Sequence, residues 1–156
     1  MLGNFTSLQY ALEESIVDYL IAQVDPTQAT ASYYTGMGNV DELVAPAVIV
    51  ASEMGNETYP FSNVYDMTLG ITIKEMAADM SGSSLNSGSN PALGILGATI
   101  YNVICNPNLK TGINTNNQRN FSSQFVQKMD IKHSRNGDAI VSDILIRVIG
   151  SLSGSL

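Results

Sequence analysis

Few residues of this 156-residue chain could carry out catalysis, since it has one histidine and one cysteine. His133 lies near the end of a predicted strand, and Cys105 lies at the end of an apolar, helical pattern. A catalytic Cys–His pair would require these two side chains to converge. A structural histidine and a buried, inert thiol are the commoner roles at such positions. We therefore predict no catalytic residue and a protein that is not an enzyme.

Motifs for phosphate or metal binding are also missing from the sequence. The stretch 36–38 (Gly-Met-Gly) lacks the third glycine of a dinucleotide loop, and the Gly/Ser-rich stretch 82–88 is not followed by lysine. A zinc site needs more His and Cys than the chain has. Asp66, Asp130 and Asp143 could share a sheet face, but lysine and arginine there favour neutralised surface pairs over an acid–base pair. We expect no cofactor and no metal.

The composition favours a protein that assembles with others. Charged residues make up 13%, against about 25% in typical soluble domains, and small polar residues replace them. Such a surface costs less to desolvate against a partner. The net charge of −7 and the seven scattered basic residues argue against direct binding of nucleic acid.

The same sequence gives expectations for compartment. A single cysteine cannot form an intramolecular disulfide, which favours a reducing environment. The N-terminal segment lacks the pattern of a signal peptide, and no apolar run approaches the ~18 residues that span a bilayer. We expect no membrane association.

The first half of the chain predicts one helix and two strands. Leu8, Leu12 and Ile16 begin an apolar stripe that predicts a helix over 7–25, with its acidic residues (Glu13, Glu14 and Asp18) on the solvated face. A short apolar run predicts a strand over 47–51, followed by a loop over 52–63. Strict alternation predicts a long strand over 65–73. The segment 74–80 is compatible with either strand or helix.

The second half predicts a helix and a hairpin. A helix should follow Pro91 and end near Cys105, and its Gly94 and Gly97 indicate close packing. The pair Asn136-Gly137 predicts a two-residue type I′ turn between strands that begin near Phe125 and Ile140. Alternation places Met67 and Met129 among the core residues. Flexible loops are predicted over 26–45, 81–90 and 107–120, with a frayed tail over 150–156.

Together these elements predict a single α+β domain over 1–156, in the order α-β-β-α-β-β. Its two layers would be a mainly antiparallel sheet and helices packed on one face. The candidate polar sheet face contains Asp66, Lys74, Lys128, Asp130, Asp143 and Arg147. The candidate subunit or partner interface, mostly in loops, contains Met54, Asn56, Tyr59, Met80, Ser84, Asn86, Asn116, Arg119, Arg135 and Asn136.

The layout resembles a known family of viral proteins. A leading helix (LEESIVDYLIAQV) precedes two strands (PAVIV and VYDMTLGITI), a helix (ALGILGATIYNVI) and a hairpin (FVQKMDIKHS and AIVSDILIRVIG). In the order of its elements, the length of the chain and its overall residue pattern, this layout resembles the tail terminator (tail-completion or neck) subunits of tailed bacteriophages. The resemblance covers nearly the whole chain and includes no diagnostic motif.

The resemblance implies a structural subunit of the virion, assembled in the host cytoplasm. Subunits would form a hexameric ring that caps the tail tube and joins it to the head connector. DNA would pass through the lumen without sequence-specific binding, and an acidic lining would keep it sliding. Two alternatives stay open. One is another phage neck or tail component (head completion or tail tube). The other is a small intracellular α+β module that binds a ligand or regulates through its open sheet face.

Overall fold

The computed structural model describes residues 4–24, 31–36, 42–58, 64–76, 95–105, 108–116, 121–136 and 139–152. Eight helices and strands lie in these ranges. In chain order they are α1 (Asn4–Gln23), β1 (Ser32–Thr35), β2 (Ala47–Glu57), β3 (Tyr65–Met76), α2 (Ile95–Ile104), α3 (Leu109–Asn116), β4 (Phe121–Asn136) and β5 (Ala139–Leu152). This is an α+β fold, as the sequence predicts.

The strands form one sheet in the order β1-β2-β3-β5-β4. Every neighbouring pair is antiparallel except β1 and β2, which are parallel. The predicted hairpin is the β4–β5 pair, in which Asn136 lies opposite Ala139. The predicted type of its turn lies outside the described residues, because Gly137 is not among them.

The core lies between one face of this sheet and the three helices. Burial alternates along β3, where Met67, Leu69, Ile71 and Ile73 are fully buried and the residues between them are partly exposed. The α1 stripe that begins at Leu8 packs against this face together with residues of α2 and α3. The predicted arrangement of helices on one face is therefore confirmed.

Helices α1 and α3 touch at a glycine. A Cβ atom built on Gly112 of α3 would lie 2.2 Å from Cε2 of Tyr19 on α1. Tyr19 is buried in the core, so moving its ring aside would disturb the packing of its neighbours. The two helices can approach this closely only because residue 112 has no side chain.

Several predicted boundaries are wrong. The predicted loop 26–45 contains β1, and the predicted loop 107–120 contains α3. Strand β2 continues to Glu57 instead of ending at residue 51, because a β-bulge between Ser52 and Met54 lets the pairing with β3 continue. The ambiguous segment after residue 73 is strand as far as Met76, and β5 extends into the predicted tail as far as Leu152. The predicted loop 81–90 lies outside the described residues.

Strand β4 does not keep the predicted alternation. Its pairing with β5 shifts between Ser123 and Phe125 and again between Lys128 and Asp130. Each extra residue reverses which face the following side chains occupy. Phe125 and Met129 are therefore exposed, at 42% and 51%, and the prediction of Met129 as a core residue is wrong.

Candidate functional site

The face of the sheet opposite the helices is the surface on which most of the predicted polar residues meet. The β3–β5 register places Asp66, Lys74, Asp143 and Arg147 there, because their positions alternate with the buried residues of each strand. Asp130 of β4 pairs with Leu145, which belongs to the same face of β5. We call this surface the open face.

The two carboxylates of β3 and β5 on the open face already have partners. Arg147 donates from Nε to Oδ1 of Asp66 at 2.9 Å and from Nη2 to Oδ2 at 2.5 Å. These bonds hold the pKa of Asp66 below its ordinary value, and its bound guanidinium has a raised pKa. Thr72 Oγ1 donates to Oδ1 of Asp143 at 2.7 Å.

Two cations of the open face, Lys74 and Arg147, are engaged as well. Lys74 Nζ donates to the main-chain oxygen of Leu43 at 3.0 Å, which fixes the segment before β2 over this end of the sheet. The Arg147 guanidinium carbon also lies 5.8 Å from the ring centroid of Phe125, within the range of a cation–π contact. Polar groups that are already paired lose less hydration energy when a partner covers them.

Apolar side chains also lie on the open face. Phe125 of β4 lies opposite Ile149 of β5, and Val141 and Leu145 continue the same row along β5. The three β5 residues are partly exposed. This mixture of aliphatic surface and paired charge resembles the composition of protein–protein interfaces.

Lys128 is not on the open face, and its predicted position is wrong. It pairs with the buried Ile146, which places it on the helix side because the second bulge lies after it. Its Nζ donates to the Tyr101 hydroxyl and to Cys105 Sγ, each at 3.1 Å. Both bonds raise the pKa of Lys128, that to Cys105 more strongly.

Cys105 is exposed, so the expectation of a buried thiol is wrong. Its contact is with Lys128, which lies five residues, or roughly 16 Å of extended strand, from His133. His133 itself pairs with Ser142 near the turn of the hairpin, three residues before β4 ends.

Two buried glutamates complete the backbone hydrogen bonding of the fold. Glu75 of β3 accepts the N–H groups of Leu96 and Gly97 in the first turn of α2, at 2.8 and 2.9 Å. A carboxylate at a helix N-terminus satisfies donors that have no partner within the helix. Glu75 thereby fixes α2 to the sheet.

Glu13 of α1 likewise accepts a backbone N–H group, in this case from β2. Its Oε1 accepts the N–H of Ser52 at 2.8 Å, just beyond the point where Gly36, at the end of β1, donates to Val50. Burial raises the pKa of Glu13, and hydrogen bonds from Ser52 and Gly36 partly offset that rise. The prediction that Glu13 faces solvent is wrong.

The sequence contained indications of both roles. Glu13 lies four residues before the buried Val17, so the two share a face of the helix. Glu75 continues the period of two set by Met67 to Ile73. Charge alone argued against burial in each case, because an acidic side chain is rarely buried without partners.

The outer edge of β4 is partly closed by side chains. Asn114 of α3 accepts the Ser123 N–H at 2.8 Å and donates to the Ser123 carbonyl at 3.2 Å. The Ile131 N–H donates to Oδ1 of Asp130 at 2.8 Å. Such contacts occupy groups that another strand would otherwise bind.

The predicted loop interface is described only in part. Asn56 is exposed on β2 opposite Asp66, and Met54 follows the β2 bulge. Asn116 ends α3, and Arg135 and Asn136 end β4. Five predicted interface residues lie outside the described part of the chain: Tyr59, Met80, Ser84, Asn86 and Arg119.

Within the described ranges, no three His, Cys, Asp or Glu side chains are grouped so that they could hold a metal ion. No helix there is long and apolar enough to cross a membrane. Neither a protein-family model nor a curated protein sequence matches the chain.

Proposed function

We propose that this protein is a structural subunit of a bacteriophage head–tail junction. Copies of the chain form a ring, hexameric by the resemblance described above, that terminates the tail tube and joins it to the head connector. It is assembled in the host cytoplasm, works in the virion without a cofactor, and lets DNA pass through the lumen. This role requires surfaces for self-association and for other junction proteins.

The proposal rests on the composition and exposure of the open face. One side of the five-stranded sheet is covered by helices, whereas on the other side Phe125 is exposed and the row through Leu145 is partly exposed. Asp66 and Arg147 on the same surface are already paired. A surface with apolar area and internally paired charge suits a subunit that becomes covered on assembly.

Light scattering and negative-stain microscopy of the purified full chain test the proposal. A ring should appear, alone or after addition of purified tail-tube protein. Six copies of 16.7 kDa would have a mass of about 100 kDa. A chain that remains a monomer at high micromolar concentration, and that ignores tube protein, would contradict the proposal. Addition to growing tubes without stopping them would favour a tube subunit instead.

A pair of matched variants tests the open face itself. Leu145→Lys places a charge in the apolar row of this face and should abolish ring formation or tube binding. Ile21→Lys makes a comparable change on α1, where Ile21 is 54% exposed, and should leave assembly intact. If the two substitutions impair assembly equally, the open face is not the assembly interface.

A further inference from the structure

Charge is segregated along the chain. Nine acidic residues precede Lys74, which is the first basic residue of the sequence. Strand β4, by contrast, contains three basic residues and one acidic residue. Since the net charge of the whole chain is −7, β4 is a local exception to its acidic character.

The order of the strands places the acidic and basic segments at opposite edges of the sheet. β1 pairs with β2 only as far as Val50, so no described strand lies on the outer side of residues 51–57. This half of β2, the acidic edge, contains Glu53 and Glu57. β4 is the last strand at the other side of the sheet. Its residues 128–136, the basic edge, contain three basic residues, Lys128, Lys132 and Arg135, and one acidic residue, Asp130.

Neither edge is shaped for continuous pairing with another strand. Each is interrupted by a bulge, after Ser52 in β2 and after Lys128 in β4. On the acidic edge the Ser52 N–H is taken by Glu13, and on the basic edge the Ile131 N–H is taken by Asp130. Such edges resist unlimited sheet extension, which leaves side-chain charge to determine what binds there.

From this arrangement we infer that the partner of the basic edge is the acidic edge of a second copy of the same chain. The inference rests on the proposed ring and specifies how its subunits meet. Two different edges of one subunit make a head-to-tail contact, which generates a closed ring or an open filament rather than a two-fold dimer. Opposite charges favour this orientation, and like charges oppose acidic-to-acidic and basic-to-basic contacts.

Charge reversal at each edge tests the contact. Glu57→Lys and Lys132→Glu should each weaken self-association about tenfold or more, because each places like charges across the contact. Mixed in equal amounts, the two variants should assemble again, because each altered edge then meets an edge of opposite charge. Wild-type association should weaken between 0.1 and 1 M NaCl, where the screening length falls from about 10 to about 3 Å. Sedimentation velocity measures all four samples.

Matched variants in the helix layer control for net charge. Asp18→Lys and Lys110→Glu make the same two changes of charge on α1 and α3, and self-association should stay within about twofold of wild type. Rings that survive both edge variants would overturn the inferred contact but leave the proposed ring in place. A wild-type chain that never self-associates would overturn both. Filaments that dissolve in salt would support the contact and contradict a closed ring.

Discussion

The contact between α1 and α3 supports a quantitative prediction, the effect of Gly112→Ala. The new methyl group would lie 2.2 Å from Tyr19 Cε2 and 2.7 Å from Cδ2 and Cζ, more than 1 Å inside ordinary contact distance. Alanine improves helix propensity by about 1 kcal/mol, whereas overpacking a core costs about 1–3 kcal/mol. Because the Tyr19 ring is buried, the upper end applies, and the net loss should be about 2 kcal/mol.

Urea unfolding and thermal melting measure this loss. For a chain of this size, about 2 kcal/mol corresponds to a fall in Tm of about 4–8 °C. Lys110→Ala, at an exposed position of the same helix, is the control and should change stability by less than about 0.5 kcal/mol. In a Tyr19→Leu background, Gly112→Ala should become neutral or stabilising, which a double-mutant cycle would detect as coupling. A Gly112→Ala protein as stable as wild type would refute the packing argument.

Three further predictions concern carboxylates. Glu75→Gln presents an amide N–H₂ to one of the two N–H donors of α2 and should lower the free energy of unfolding by about 1–3 kcal/mol. Urea unfolding measures this loss, and a variant as stable as wild type would contradict the role of Glu75 at α2. Glu13 has a raised pKa in the folded state, so acidification from pH 7 towards 4.5 should stabilise wild type relative to Glu13→Gln. If the difference in free energy of unfolding between wild type and Glu13→Gln is the same at both pH values, the pKa of Glu13 is not raised by folding. Asp66 has a lowered pKa in the folded state, so its contribution to stability should decrease as the pH drops below 3.8, the ordinary pKa of an aspartate. A pH titration of Asp66 by NMR in wild type and Arg147→Ala should show the lower value only in wild type.

Residues with strong local patterns were predicted correctly. The stripe from Leu8 to Val24 gave α1, the alternation from Tyr65 to Ile73 gave β3, and the hairpin pattern gave β4 and β5. These periods arise from backbone geometry and from burial of one face, so a single sequence reveals them. The two-layer α+β class follows from the same patterns, since each apolar face must be covered.

Elements stabilised mainly by distant neighbours were not predicted. The four residues of β1 have no period long enough to detect, and they form a strand because β2 supplies parallel hydrogen bonds. Helix α3, in a polar segment, is held by the Tyr19–Gly112 contact and by the bonds of Asn114 to Ser123. Such contacts join α3 to other elements of the fold, and local propensity says nothing about them.

The candidate surface was likewise predicted in part. Alternation placed Asp66, Lys74, Asp143 and Arg147 on one face, and their tertiary positions agree. It misplaced Lys128, because a bulge depends on how two strands pair and reverses every side chain beyond it.

The sequence by itself thus determined the class of fold, the covered face of the sheet and the segregation of charge between its first half and β4. Only the tertiary structure decided that Glu13 and Glu75 are buried, since their backbone donors come from other elements. It also placed the acidic and basic segments at opposite edges of one sheet. Strand order is set by long-range pairing, and no local pattern in the chain specifies it.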